Sequence, residues 1–499
     1  MSPPPEKRGA SSAQPHLGRR RHNSEEGEAS SSSAARSLRP ESHEVEVSAE
    51  DDNEGLVWPE PFVEAVARKV ALAAAQGGGA LAAAPALVTV FQVCSTWRTI
   101  SHSEILWEAL VQDVWEWDTS QTTRRPQSWR DEYIRLHSTA SNFRHNRAKY
   151  TLIEYEVSSD SSGNGAGAVC RCLTLSPEYL AVGFFDGAVR IFSLTSKECV
   201  NTMKPPHENR LGPLSRAISG IVINDDRVVF ASFDGNVFVG EVLTGLVRRA
   251  HVGNVVNDGT LVDFTGSEKF WVGLYAGIPG HACHIWDAVT EQLVFNAGDI
   301  TDSEALRGWR LLTEQAERIG RVRVNRDGIL LTATRFKVTV FDLESYGVSF
   351  RREEIAMDEQ QQLIVESVDA NNDWFLTASD DGAARIRRIT DFEDSWAFSF
   401  AEAAATDANS ANSTTSTSRS SSGNTNSDRR NRVRVFGALN TRQAFLCIEG
   451  SVHAWDAKSG MRLYRLDEWM GEVFDLVADD EHVAGCAIDT GIHLWSFRP

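Results

Sequence analysis

Asp186–Phe192 reads DGAVRIF, a tight turn followed at once by a short strand. The Asp-Gly pair suits the positive φ angles of a two-residue hairpin turn. Counted from Asp186, the third and fifth residues beyond it, Val189 and Ile191, are apolar, and Arg190 between them is charged. Because side chains alternate between the two faces of a strand, the pattern predicts a strand with one packed and one polar face.

The same unit recurs six more times between about Val169 and Phe497. The third and fifth positions are apolar in every unit, and the sixth is aromatic in five of the seven. The step between units is roughly 40–55 residues, apart from one longer step, and this period is typical of β-propeller blades. The sequence therefore predicts a seven-bladed β-propeller over residues 150–499. The six further units are Asp234–Gly240, Gly280–Asp287, Arg335–Asp342, Asp381–Arg387, Glu449–Asp456 and Asp489–Trp495.

Ring closure is predicted to use a strand from before the first blade. The last unit stops at Phe497 after only three strands. Residues 150–157, Tyr150–Val157, alternate as an edge strand should. Adding this strand to the last blade would leave the ring without an open edge.

Three of the units end in an aromatic residue followed by Asp, namely Trp286-Asp287, Phe341-Asp342 and Trp455-Asp456. With their spacing, these units resemble the WD-repeat family over about two thirds of the chain. The resemblance implies a propeller of the WD-repeat type.

Residues 55–118 have a different character, with apolar residues in a helical 3–4 rhythm. Trp58–Phe62, Val93–Ile100 and Leu106–Leu110 resemble an F-box, which implies a surface that binds a Skp-type adaptor. Two other interpretations remain open: a generic helical bundle, and a membrane span in the uncharged stretch between Lys69 and Arg98. The adaptor-binding residues that the resemblance implies are Pro59, Phe62, Val63, Val66, Leu87, Val93, Cys94, Trp97, Ile100 and Trp107.

Residues 119–149 are similar to the helical linker that joins F-box to propeller in F-box WD-repeat proteins, on the strength of Trp129–Leu136 and Ser141–Arg144. The predicted fold class is thus α+β multidomain: a small all-α F-box domain, then an all-β seven-bladed WD-repeat propeller.

Two segments are predicted to be disordered from composition. Residues 1–54 are rich in Ser, Pro and charge, and 401–432 is a Ser/Thr-rich insert between blades. Lys7-Arg8 and Arg19–Arg21 resemble a bipartite nuclear-import signal, although an ordinary basic patch is the alternative. The expected location is the nucleus, the cytoplasm or both. Seven cysteines without paired spacing favour a reducing compartment.

Composition and motifs argue against nucleic-acid binding and against a nucleotide, cofactor or metal site. A formal net charge of −19 speaks against nucleic acid as a partner. The sequence has no phosphate-binding loop, and Gly163–Gly167 lies in the wrong context for a dinucleotide. No cofactor and no metal are expected, since His281-Ala-Cys283-His284 is better explained by strand alternation than as a zinc site. Cys170 and Cys172 are read as core residues rather than a redox pair.

An F-box joined to a propeller resembles the substrate receptors of Skp–cullin–F-box ubiquitin ligases. The resemblance implies a non-enzymatic subunit that binds the Skp adaptor, and through it cullin and RING subunits, while the propeller holds a protein substrate; no membrane partner is expected. A scaffold without a role in ubiquitin transfer is the alternative, and a propeller enzyme has no supporting motif. Six arginines could line a phosphate-reading face, or simply occupy the polar strand faces: Arg171, Arg321, Arg323, Arg335, Arg385 and Arg387.

Overall fold

The computed structural model places Trp58–Pro499 in one compact unit. It describes residues 58–117, 126–155, 169–206, 211–278, 280, 282–297, 308–313, 320–325, 327–334, 338–344, 350–351, 365–379, 382–390, 394–399, 434–487 and 491–499. The predicted disordered segments, the basic clusters, Gly163–Gly167, His281 and Arg335 lie outside these residues.

The first part of the described chain is a helical unit. Ser103 caps its fourth helix and Ser128 its fifth, because each serine Oγ accepts a backbone N–H from the first turn. Gly79, at φ 79°, ends the first helix in a conformation that suits glycine. The helices are α1 (Glu60–Gly78), α2 (Ala83–Phe91), α3 (Ser95–Thr99), α4 (Glu104–Trp115) and α5 (Trp129–Arg144), with 3₁₀ turns at Ala80–Ala82 and Ile100–His102.

One core holds the helical unit together, and it includes most of α5. Trp129, Tyr133 and Ala140 of α5 pack with the buried faces of α1, α2 and α4. The segment predicted as a linker therefore contributes to the helical core. The uncharged stretch between Lys69 and Arg98 forms part of this core, and none of the described helices is both long and apolar enough to cross a membrane.

The described residues from Lys149 onward form seven four-stranded antiparallel sheets, so the predicted α+β arrangement, a small helical domain followed by a seven-bladed propeller, is confirmed. Strand β1 is Lys149–Ile153. Blade 1 contains β2 (Cys170–Leu175), β3 (Tyr179–Phe184), β4 (Val189–Ser193) and β5 (Cys199–Met203). Blade 2 contains β6 (Ile218–Asn224), β7 (Arg227–Ser232), β8 (Val237–Glu241) and β9 (Val247–His251), followed by the short helix α6 (Val255–Asp258). Blade 3 contains β10 (Thr260–Gly266), β11 (Phe270–Ala276), β12 (Cys283–Asp287) and β13 (Leu293–Ala297).

The remaining blades repeat this order from the innermost to the outermost strand. Blade 4 contains β14 (Gly320–Val324), β15 (Ile329–Thr334), β16 (Val338–Asp342) and β17 (Phe350–Arg351). Blade 5 contains β18 (Val365–Ala370), β19 (Trp374–Ser379), β20 (Ala383–Arg388) and β21 (Asp394–Ser399). Blade 6 contains β22 (Val435–Leu439), β23 (Gln443–Ile448), β24 (Ser451–Asp456) and β25 (Arg462–Trp469). Blade 7 contains β26 (Val473–Ala478), β27 (His482–Ala487) and β28 (Gly491–Ser496).

Blade 7 takes its fourth strand from the beginning of the propeller. Strand β1 pairs antiparallel with β28, from Lys149 opposite Ser496 to Ile153 opposite Ile492. The strand is one residue longer at its start than the predicted Tyr150–Val157 and ends earlier, and residues 156–157 are not among those described. The hydrogen bonds of β1 thus tie the two ends of the propeller together.

Successive strands of a blade run in opposite directions, so each kind of turn lies on one particular face of the ring. Turns between second and third strands, such as Asp186-Gly187, share one face with the links between blades; we call it the upper face. The helical unit lies on the opposite, lower face. Here Arg135 of α5 pairs with Glu481, in the turn between β26 and β27.

The strand face that the sequence marks as polar is buried. His284, Thr339, His453 and His493 occupy the position between the two apolar residues of their units, and all four are at most 5% exposed. In a propeller, neighbouring blades cover both faces of each sheet. The predicted polar face is therefore an interface between blades rather than a solvated surface.

Candidate interaction surfaces

The helical unit exposes large apolar side chains at positions that resemble the F-box. Phe62 on α1 is 46% exposed, and Val93, just after α2, is 62% exposed. Trp58 stacks on Phe62 with 4.8 Å between ring centroids. Large exposed apolar side chains on a small unit are typical of a protein-binding surface.

The ten predicted adaptor residues divide into two groups. Pro59, Phe62, Val93 and Cys94 are exposed, while Val66 and Trp97 are half-buried. Val63, Leu87, Ile100 and Trp107 belong to the core of the helical unit. The indole N–H of Trp107 donates to the carbonyl of Ser101 at 2.8 Å. These four side chains stabilise the unit, and a partner could contact only the other six without unfolding it.

The junction between helical unit and propeller is built by the end of α5. Phe143 stacks on Phe497 at 3.8 Å between ring centroids, and both rings are buried. Asn142 Nδ2 donates to the carbonyl of Phe497 at 2.9 Å. Arg498 pairs with Glu481, which also accepts Arg135 of α5. Apolar stacking and a shared carboxylate therefore fix the helical unit on blade 7.

Two of the predicted arginines lie within the central channel and are paired with carboxylates. Arg321, on the inner strand of blade 4, reaches across to Asp475 on the inner strand of blade 7. Both side chains are almost completely buried, at 5% and 3% exposure. The Asp475 carboxylate also accepts the backbone N–H of Leu173 in blade 1 at 2.9 Å. This pair thus connects three blades.

Arg323 lies two residues further along the same strand and meets two more carboxylates. Its Nε donates to Asp369 Oδ1 at 2.6 Å, and Asp263 lies 3.6 Å from Nη1. Burial opposes the charge on Arg323, but Asp369 and Asp263 outweigh it and raise the pKa of the guanidinium. Burial also raises the pKa of Asp369, against the attraction of Arg323.

The three channel aspartates not only lie near the arginines but also accept backbone hydrogen bonds. Asp263 accepts the backbone N–H of Val322, and Asp369 that of Leu439, both at 2.8 Å. Each carboxylate therefore bonds to the inner strand of the next blade, as Asp475 does with Leu173. We call Asp263, Arg321, Arg323, Asp369 and Asp475 the channel belt. Its formal charges nearly cancel, so the belt is a stabilising network rather than an anion trap.

The other predicted arginines are distributed elsewhere. Arg171 is buried, with Nη2 donating to the carbonyl of Val262 at 2.8 Å and the guanidinium 4.7 Å from the Phe233 ring centroid. Arg385 and Arg387 are on β20, the third strand of blade 5, and not on an inner strand. The five predicted arginines that the structure describes therefore do not converge on one exposed, phosphate-reading cluster.

The cysteines and histidines do not assemble a metal centre in the described part of the chain. No group of three or more potential ligands comes together there. Cys283 is buried, and burial raises the pKa of its thiol to about 12. The His284 ring packs on Tyr275 at 4.2 Å between centroids. All seven cysteines are free of disulfides, including the buried Cys170 and Cys172.

Fold and surfaces together define a β-propeller with a helical N-terminal unit, an architecture suited to binding other proteins. This chain is 40% identical to the "Transcriptional regulator STERILE APETALA" of Arabidopsis thaliana over 446 residues, which cover 88% of this chain and 92% of the relative. The chain therefore belongs to the STERILE APETALA family. No protein-family model matches it. A solved structure of the computationally designed Ika8 protein matches 67% of the chain and 98% of its own length, with a TM-score of 0.41 and 14% identity.

Proposed function

We propose that this chain is the non-catalytic substrate receptor of a Skp–cullin–F-box ubiquitin ligase. In this proposal the helical unit binds a Skp-type adaptor, and the propeller binds the protein that is to be ubiquitinated. The observation that carries it is the exposure of Phe62 and Val93, two F-box-like positions, on a unit whose own core is complete without them.

The energetics of such an interface are favourable. Burying an exposed side chain of this size against a partner contributes about 1.5–3 kcal/mol. Phe62 on α1, and Val93 with the half-buried Trp97 four residues later, each offer such a contribution. The α5 junction would hold adaptor and substrate at a fixed separation, which is the positional contribution that a receptor makes to ubiquitin transfer.

The relative's name places it among regulators of transcription. A receptor that removes transcriptional proteins by ubiquitination would fit that description, and it would work where its substrates are, in the nucleus or the cytoplasm. In this proposal, Lys7-Arg8 and Arg19–Arg21 would act as the import signal that they resemble.

Co-purification tests the proposal. The variants Phe62→Asp and Val93→Asp should each reduce recovery of the Skp-type adaptor and cullin at least tenfold, because a carboxylate would be buried in an apolar interface. Their melting temperatures should match the wild type, since both side chains are exposed. Leu243→Asp, at a 64% exposed position in the turn after β8, is the matched control and should leave recovery unchanged.

The same experiment addresses the alternative of a scaffold without a role in ubiquitin transfer. If the wild-type chain recovers neither adaptor nor cullin, the receptor proposal is wrong and the scaffold is favoured. Adaptor recovery that is equal for Val93→Asp and wild type would reject the assignment of this surface.

A further inference from the structure

The upper face carries a surface formed by three links between blades. Residues 211–217 join blade 1 to blade 2, residues 252–258 join blade 2 to blade 3, and residues 308–313 belong to the link from blade 3 to blade 4. We call these three segments the upper platform. None of the six predicted adaptor contacts and none of the channel belt belongs to it.

The three segments are in contact and form a continuous surface. The backbone N–H of Leu214 donates to the carbonyl of Leu312 at 3.1 Å. A Cβ added to Gly277, the residue that follows β11 in blade 3, would lie 3.3 Å from the Trp309 ring. The same glycine lies against Gly259, the residue that follows α6. Gly277 therefore lies between Trp309 of the third segment and Gly259, which directly follows the second segment.

The platform is anchored from below and apolar above. Val255, Leu311 and Leu312 are buried in a core cluster with blades 2 to 4. Above them, Val256 is 71% exposed and Trp309 is 37% exposed. Leu211 and Val252 are also exposed. Buried anchors hold the exposed side chains in place, which lowers the entropy cost of binding.

Two arginines of the platform lack a carboxylate partner among the described residues. Arg310 is exposed beside Trp309. Arg216 is half-buried, and its Nε is enclosed with no acceptor in the described part of the chain. Asp258 is the acidic side chain of the three segments, and it is half-buried. The exposed charge on the platform is therefore positive, although the whole chain carries a formal charge of −19.

We propose that the upper platform is the substrate-docking surface, and that it binds an extended protein segment in which large apolar residues stand beside Asp or Glu. The apolar side chains would cover Val256 and Trp309, and the carboxylates would pair with Arg216 and Arg310. Trp and Arg dominate the binding energy of many protein interfaces. That the bound segment belongs to a ubiquitination substrate rests on the proposed function. The binding of such a segment to the upper platform does not.

The channel mouth is a weaker location for the same task. Arg321 and Arg323 already donate to channel aspartates, and Arg171 donates to a backbone carbonyl. An incoming anion would have to displace these partners. Arg216 and Arg310 have no such acceptor in the described residues, so they can pair without that cost.

Selection from a random peptide library displayed on phage, using the full chain as bait, tests this inference. We expect the enriched peptides to combine an aromatic or aliphatic residue with Asp or Glu. Fluorescence anisotropy of one such peptide should give a Kd at least tenfold weaker for Trp309→Ala and for Arg310→Glu. The matched control is Trp396→Ala, at an exposed tryptophan of blade 5, and its Kd should stay within twofold of the wild type.

Several outcomes would overturn the inference. These are enriched peptides that are basic, peptides that bind Trp309→Ala as tightly as the wild type, peptides that bind only when phosphorylated, and a failure to enrich any peptide. Adaptor co-purification is measured on the same variants and should not change with Trp309→Ala. If a platform variant loses peptide binding but recovers the adaptor normally, the result concerns the platform alone. If the chain binds peptide but recovers no adaptor, the receptor proposal alone is rejected.

Discussion

Asp475 is a position at which one substitution should strongly destabilise the ring. Asp475→Ala removes the partner of buried Arg321 and also the acceptor of the Leu173 N–H. Breaking a buried ion pair from one side costs about 3–5 kcal/mol, because the remaining charge is left without compensation. Unfolding entropy is about 2.1 cal/mol/K per residue, so for a ring of about 350 residues this loss lowers the Tm by about 5 °C.

The assay is thermal and denaturant unfolding of four chains: wild type, Asp475→Ala, Arg321→Met and the double variant. In the double variant neither charge remains unpaired, so its loss should be at least 1 kcal/mol smaller than the sum of the single losses. Glu472→Ala is the matched control, since Glu472 pairs with Arg434 on the surface and both are about half exposed. An exposed pair contributes about 0–1 kcal/mol. Strictly additive losses, or a loss for Asp475→Ala no larger than the control's, would refute the reasoning.

Three further outcomes follow from the ring's closure and its junction with α5. A chain beginning at Glu154 should aggregate and have a lower Tm than one beginning at Lys149, because only the first lacks β1 and leaves the edge of β28 unpaired; equal melting would contradict closure by strand exchange. Phe143→Ala should cost about 3–5 kcal/mol by emptying the space beside Phe497, and limited proteolysis should then cut after α5 faster than in the exposed-site control Ile134→Ala; unchanged cleavage would argue against this junction. Burial lowers the pKa of His493 below its usual 6.5, so the unfolded chain binds the proton more readily and stability is lost as the pH falls through about 6.5. The drop in Tm from about pH 7.5 to about 5.5 should therefore be smaller in His493→Gln than in the wild type. An equal drop would exclude His493 as a source of the pH dependence.

The blades could be predicted because their signal is local. An Asp-Gly turn and alternating residues, as in Asp186–Phe192, need only a few neighbours to specify a hairpin. The outer strands were less visible in the sequence. Strand β5, Cys199–Met203, buries mainly its last residue, since it lies at the rim of the ring and has few apolar side chains.

The channel belt could not be predicted because its partners come from different blades. Arg321 and Asp475 are 154 residues apart, and no local pattern sets the relative height of two blades. The sequence did offer one unused signal: Asp263 and Asp475 each interrupt an otherwise largely apolar inner strand. A lone carboxylate in such a strand must find a partner, and the inner strands of neighbouring blades provide it.

Helix α5 shows a similar limit in the helical unit. Its sequence predicted a helix, but the two cores that its residues join could not be assigned in advance. Tyr133 packs with α4, while Phe143 packs with blades 6 and 7. Both contacts depend on the positions of residues far away in the chain.

Strand exchange in blade 7 also fixes the order in which the protein can be assembled during synthesis. Ile153 leaves the ribosome about 340 residues before Ser496, an interval of about 20 to 70 s at roughly 5–20 residues per second. Throughout that time β1 has no partner strand and Phe143 has no Phe497 to stack on. Early blades can form hairpins, but neither the ring nor the contact of the helical unit with blade 7 can be completed until β28 and Phe497 have emerged. A chain whose translation stops before Gly491 would therefore present the quality-control machinery with an open sheet edge and an unattached helical unit together.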